Sequence, residues 1–84
     1  MKEIVVVSAV WCPSCLILNK HLKKLKEDMN INITKLDYDL DEDEVEEYNV
    51  GDKLPVIILK ENNSEVRRLI GEKSYDEIIE FIGE

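Results

Sequence analysis

The sequence predicts an α/β fold in which a four-stranded mixed sheet is flanked by three helices, in the order β-α-β-α-β-β-α. Two uninterrupted apolar runs, Ile4-Val5-Val6-Val7 and Val56-Ile57-Ile58-Leu59, have the pattern of strands covered on both faces. Two stripes at helical spacing, Leu18, Leu22, Leu25, Met29 and Tyr75, Ile78, Ile79, Ile82, supply helices to cover them. With 84 residues, 44% apolar and 36% charged, the chain has room for one domain over 1–84 with a modest core, and needs no metal or staple to fold.

The elements follow in order. Ile4–Val7 is the first strand. Pro13 fits the first turn of a helix, where its missing N–H is not needed, and the leucine stripe carries that helix from about Pro13 to Met29. Ile31–Tyr38, rich in Ile, Thr and Tyr, reads as a second strand, reached by a right-handed parallel crossover. Asp41–Asn49 is a short surface helix whose early acids suit an N-terminus, with Leu40, Val45 and Tyr48 as its apolar anchors. Pro55 opens the third strand. Asn62-Asn63 then marks a hairpin into Val66–Ile70, where Arg67 and Arg68 suit an edge. Ser74-Tyr75-Asp76-Glu77 has the form of a capping box and starts the last, amphipathic helix.

A net charge of −8 argues against nucleic acid and anionic membranes as partners. The first residues include an acid, and Ile4–Val7 is too short for a signal peptide or a span. Two cysteines spaced three apart cannot staple a secreted scaffold, so a cytoplasmic location is expected; the chain is also expected to be a monomer.

Cys12-Pro13-Ser14-Cys15 is the strong chemical signal, because it falls between a buried strand and a helix start. There Cys12 meets unpaired backbone N–H groups and the positive end of the helix dipole, which stabilise a thiolate, the attacking species. Cys15 lies one turn further on the same face, placed to close a disulfide and expel a bound partner. Cys12 therefore attacks and Cys15 resolves. A zinc site would have Cys12, Cys15 and His21 as ligands and no second Cys pair, and inert paired cysteines rarely sit at such a junction. His21, among Lys20, Lys23 and Lys24, reads as a solvated residue. The calcium-like Asp37-Tyr38-Asp39-Leu40-Asp41 fails at Glu42, where Gly is needed, and at Tyr48, where Glu is needed. Asn32-Ile33-Thr34 and Asn62-Asn63-Ser64 read as chance glycosylation triplets. No metal and no cofactor are expected.

Trp11-Cys12-Pro13-Ser14-Cys15, the element order, and Leu54-Pro55 before the third strand together resemble the thioredoxin superfamily over essentially the whole chain. The resemblance implies a minimal thioredoxin fold, a cis Leu54–Pro55 bond beside the cysteines, and a substrate surface made by Trp11, Pro13, Ser14, Leu54 and Pro55. Short length and Pro13 look glutaredoxin-like, whereas Trp11, Leu54 and Ile70-Gly71-Glu72-Lys73-Ser74 look thioredoxin-like. Glutaredoxins that use glutathione typically show Thr-Val-Pro, a Gly-Gly pair with an Asp, and a basic residue near the first Cys. This chain has Lys53-Leu54-Pro55, a single Gly71 and Val10-Trp11 there.

The resemblance thus implies a reductase of protein disulfides that is itself reduced by a thioredoxin-reductase-like flavoprotein. Ribonucleotide reductase is a candidate target, since redoxins of this mixed type supply it with electrons. The alternatives are a glutathione-dependent glutaredoxin and a non-catalytic binding module on the same fold. The buried Asp that thioredoxins place six residues before the first Cys is Val6 here, Lys35 matches their second-strand Lys, and Tyr38 and Asp39 end that strand without an assigned role. Water or the leaving thiolate is therefore expected to take the Cys15 proton.

Overall fold

A computed structural model describes residues 2–83; Met1 and Glu84, the ends of the 1–84 domain reading, lie outside the described residues. The elements are β1 (Lys2–Ser8), α1 (Pro13–Met29), β2 (Asn32–Asp37), α2 (Glu42–Glu47), β3 (Val56–Glu61), β4 (Ser64–Ile70) and α3 (Tyr75–Gly83). They form one sheet of order β2-β1-β3-β4. Strands β1 and β2 are parallel, as a crossover through α1 requires, and the β1–β3 and β3–β4 pairs are antiparallel. This is the mixed sheet the sequence predicts.

Alternation along β1 divides the core into two layers. Ile4 and Val6 pack with Leu18, Leu22 and Leu25 of α1 and Ile78, Phe81 and Ile82 of α3. On the opposite face, Val5 and Val7 pack with Leu36, Val56, Ile58 and Val45 of α2. Each such side chain contributes roughly 1.5–3 kcal/mol on burial, which is why the short, strongly acidic α2 is held chiefly through Val45, its one buried residue.

Leu40 is not the anchor the sequence suggests, being 83% exposed. It sits in a turn closed by the Asp37 carboxylate, which accepts the Asp39 and Leu40 N–H groups at 2.9 and 3.1 Å. Met29 is likewise exposed at the end of its stripe, where Asn30 adopts a left-handed φ of 50° and donates its N–H to the Lys26 carbonyl. His21 is half-buried rather than fully solvated, its ring tilted against Tyr75. The strands run past their apolar cores because pairing continues into polar residues. At the hairpin, Asn62 and Asn63 take φ of 54° and 68°, the signs a two-residue type I′ turn needs.

The capping box forms as read: the Glu77 N–H donates to Ser74 Oγ and the Ser74 N–H to Glu77 Oε1, both at 3.2 Å. The Ser74 backbone contact, with its hydroxyl second, holds the Glu77 carboxyl below the usual range, so the box loses strength as the pH falls through that lowered value. Ser74→Ala should lower stability by about 1 kcal/mol, read as an earlier midpoint in urea with an unchanged slope.

Register brings the chemistry together. Val7 is paired to Val56, and Val56 to Ile70. The β1–α1 turn, the Leu54-Pro55 segment and Gly71-Glu72 therefore meet at one end of the sheet, where the chain leaves β1 for a helix.

Candidate active site

Cys12 is the N-cap of α1, with Pro13 in the first helical positions, and its sulfur caps the helix. The Cys15 N–H donates to Cys12 Sγ at 3.3 Å, the place a Ser or Asp oxygen usually takes. The same N–H also donates to the Cys12 carbonyl at 3.1 Å, so sulfur and carbonyl share one donor at the start of the helix. Both cysteines are free thiols, 5% and 1% exposed. Burial, first of all, and then the hydrogen bond and charge of Cys12 push the Cys15 thiol up to about 11, so it keeps its proton at neutral pH. No carboxylate contributes to that shift. Val6 is fully buried among aliphatic side chains.

Around the cysteines the structure places several of the residues singled out from the sequence. Leu54 packs with Tyr38 against Ala9 and the two cysteines. The Leu54–Pro55 bond is cis, and Leu54 lies outside the β3 ladder, so its backbone groups are not committed to the sheet. Pro55 is buried and its carbonyl accepts the Gly71 N–H at 2.8 Å, tying the β4–α3 loop to the cis segment. Gly71 takes φ 91°, which a side chain would resist. Trp11 is 57% exposed, stands edge-on to Tyr38, and donates its Nε1–H to Asp39 Oδ2 at 2.7 Å. Pro13 is exposed and Ser14 half-buried in the first turn.

Two residues with no role in the sequence reading belong to this rim. Asp39 fixes the Trp11 indole, and Glu72 accepts the Ser14 hydroxyl at 3.0 Å. Only the sequence neighbourhood of Tyr38-Asp39 hinted at the first, and nothing local hinted at the second. His21 lies away from the cysteines against Tyr75, and among the described residues no group of three His, Cys, Asp or Glu side chains is placed to hold a metal ion.

A reduced Cys-x-x-Cys pair capping the first helix of a mixed sheet, beside a cis-proline, defines a thiol–disulfide oxidoreductase of the thioredoxin fold. The comparisons agree at every level. The thioredoxin family model matches residues 1–84, and the thioredoxin of Chlamydia trachomatis is 33% identical over 75 residues, spanning 88% of this chain and 72% of the relative. The chain belongs to the thioredoxin family. Among solved structures it is similar to Trxlp of Edwardsiella tarda (28% identity, TM-score 0.87, 96% of this chain and 81% of that one). It is also similar to thioredoxin-2 of a malaria parasite (26% identity, TM-score 0.91, 99% and 82%), described there as a component of the parasite's protein secretion machinery.

Proposed function

We propose that this protein is a cytoplasmic protein-disulfide reductase in which Cys12 attacks, Cys15 resolves, and a thioredoxin-reductase-like flavoprotein restores the dithiol. The observation that carries the reading is the unequal treatment of the two sulfurs: Cys12 Sγ accepts a helix N–H, while Cys15 is buried and held as a thiol. In the first step the Cys12 thiolate attacks one sulfur of a substrate disulfide, the Cys12–substrate bond forms, and the other substrate sulfur leaves as a thiolate. Cys15 then gives up its proton to water or to that leaving thiolate and attacks Cys12 Sγ. The Cys12–Cys15 disulfide closes and the second substrate thiol is released. Two electrons have passed from the protein to the substrate.

Val10, Trp11 and Leu16 leave apolar surface exposed around the thiol turn, which suits an extended protein segment better than a small polar thiol. Leu54 offers such a segment a free backbone edge for strand-like pairing. A cytoplasmic location rests on the reactive, unstapled cysteine pair, since a reducing compartment keeps such thiols ready.

Coupled turnover tests this reading. Insulin reduction driven by NADPH and a thioredoxin-reductase-type flavoprotein should exceed that driven by glutathione with its reductase by about tenfold or more. The Cys12/Cys15 potential should lie near about −270 mV rather than about −120 mV. Faster turnover with glutathione would assign the chain to the glutaredoxin reading instead.

A further inference from the structure

Glu72 stands out among the groups around the thiols. It is an exposed acid in the β4–α3 loop, yet its carboxylate is tied to the active-site turn itself, accepting the hydroxyl of Ser14 from between the two cysteines. The loop that carries it is anchored to the substrate-side segment by the Gly71–Pro55 hydrogen bond. Backbone and side chain thus hold a carboxylate beside the active-site turn. The partner that carboxylate holds there is the neutral Ser14 hydroxyl. The adjacent Lys73 acts instead on Glu77 at the start of α3, and Lys53 lines a separate groove with Asp52, Val50 and Arg68. A second carboxylate, Asp39, accepts from the indole of Trp11, the residue next to Cys12.

We propose that Glu72 is a specificity-determining residue: it selects disulfides whose attacked cysteine is flanked by a cationic side chain and disfavours anionic ones, oxidised glutathione included. The proposal rests on the reductase reading above and names its substrate class. The physical reason is that a disulfide attacked by Cys12 must approach the turn to which Glu72 and Asp39 are tied through Ser14 and Trp11. A Lys or Arg beside its cysteine then meets one or both fixed carboxylates, whereas an acid meets only repulsion. A single charge pair of this kind, partly solvated, is worth about fivefold in rate and more at low salt. The role differs from that of a base for Cys15, because Glu72 is absent from the groups that shift that thiol.

The test uses three peptide disulfides identical except for Lys, Ser or Glu beside the attacked cysteine, and compares second-order rates of the reduced protein at low and high salt. The Lys-to-Glu rate ratio, each rate normalised to the Ser peptide, should favour Lys by about fivefold or more in the wild type and shrink at high salt. Glu72→Gln should cut the ratio severalfold, and Glu72→Lys should bring it to unity or below. Glu61→Lys, an equal charge change at the far end of β3, should leave it near the wild-type value. A ratio that Glu72→Lys does not move, or that Glu61→Lys moves as much, overturns the proposal while leaving the reductase intact. Failure of the wild type to reduce even the Ser peptide would instead overturn the reductase reading, and the proposal with it.

Discussion

Cys12→Ser should abolish disulfide reduction, lowering insulin turnover on the order of 10³-fold or more, while Cys15→Ser should stop the reaction halfway. The asymmetry follows from the geometry. A serine hydroxyl at position 12 could still cap the helix, accepting the Cys15 N–H as Cys12 Sγ does, but at neutral pH it supplies no anion able to attack a disulfide. Cys15→Ser keeps the attacking thiolate and removes only the sulfur that would release the partner. It should therefore accumulate a one-to-one adduct with substrate, visible as a mass increase that dithiothreitol reverses. Burial raises the Cys15 thiol, so the thiolate that resolves the adduct in the wild type is a minor fraction at neutral pH, and breakdown of the adduct should quicken as the pH rises. Full activity in Cys12→Ser would remove the proposed mechanism.

Most of the frame was legible because its signals are local. The apolar runs at Ile4–Val7 and Val56–Leu59 become the buried central strands, and the leucine stripe, Asn62-Asn63 and the Ser74 box mark a helix, a turn and a cap by rules that operate within a few residues. Leu40 misled because hydrophobicity says nothing about direction: the Asp37 turn points it outward, whereas Val45 is buried and Tyr48 packs against the same core layer. Phe81 falls one position before Ile82, outside the i, i+3, i+4, i+7 stripe, yet α3 buries it against the sheet.

At the site, Cys12 and Cys15 stand out by spacing and position, and Pro55 through the resemblance to the thioredoxin superfamily. The carboxylates of Asp39 and Glu72 could not, since their partners Trp11 and Ser14 stand 28 and 58 residues away along the chain. Those pairs exist because the sheet register brings three loops to one end, and register is a property of the assembled fold.

Val6→Asp should be the most destabilising single change near the site, and it should not speed the reaction. Val6 is wholly buried, with Ile4, Leu18, Leu22 and Ile57 in the same core layer, so the new carboxyl would lose aliphatic packing and gain no hydrogen-bond partner within that layer. An unpaired buried charge of this kind costs roughly 3–5 kcal/mol, a large share of the 5–15 kcal/mol typical of a small domain. The group would escape part of that cost by staying protonated. Its folded-state pKa would lie above the unfolded value of about 3.9, so the deficit against the wild type should be smallest at acid pH and deepen as the pH rises through the raised value.

Lys35, the register partner of Val6 on β2, is exposed along the groove between α1 and β2. The kinetic half of the prediction separates two accounts of Cys15. Turnover per folded molecule that stays level after Val6→Asp means that water or the leaving thiolate already removes the proton fast enough. A large acceleration would mean that the native site lacks a base and that Val6 occupies its place.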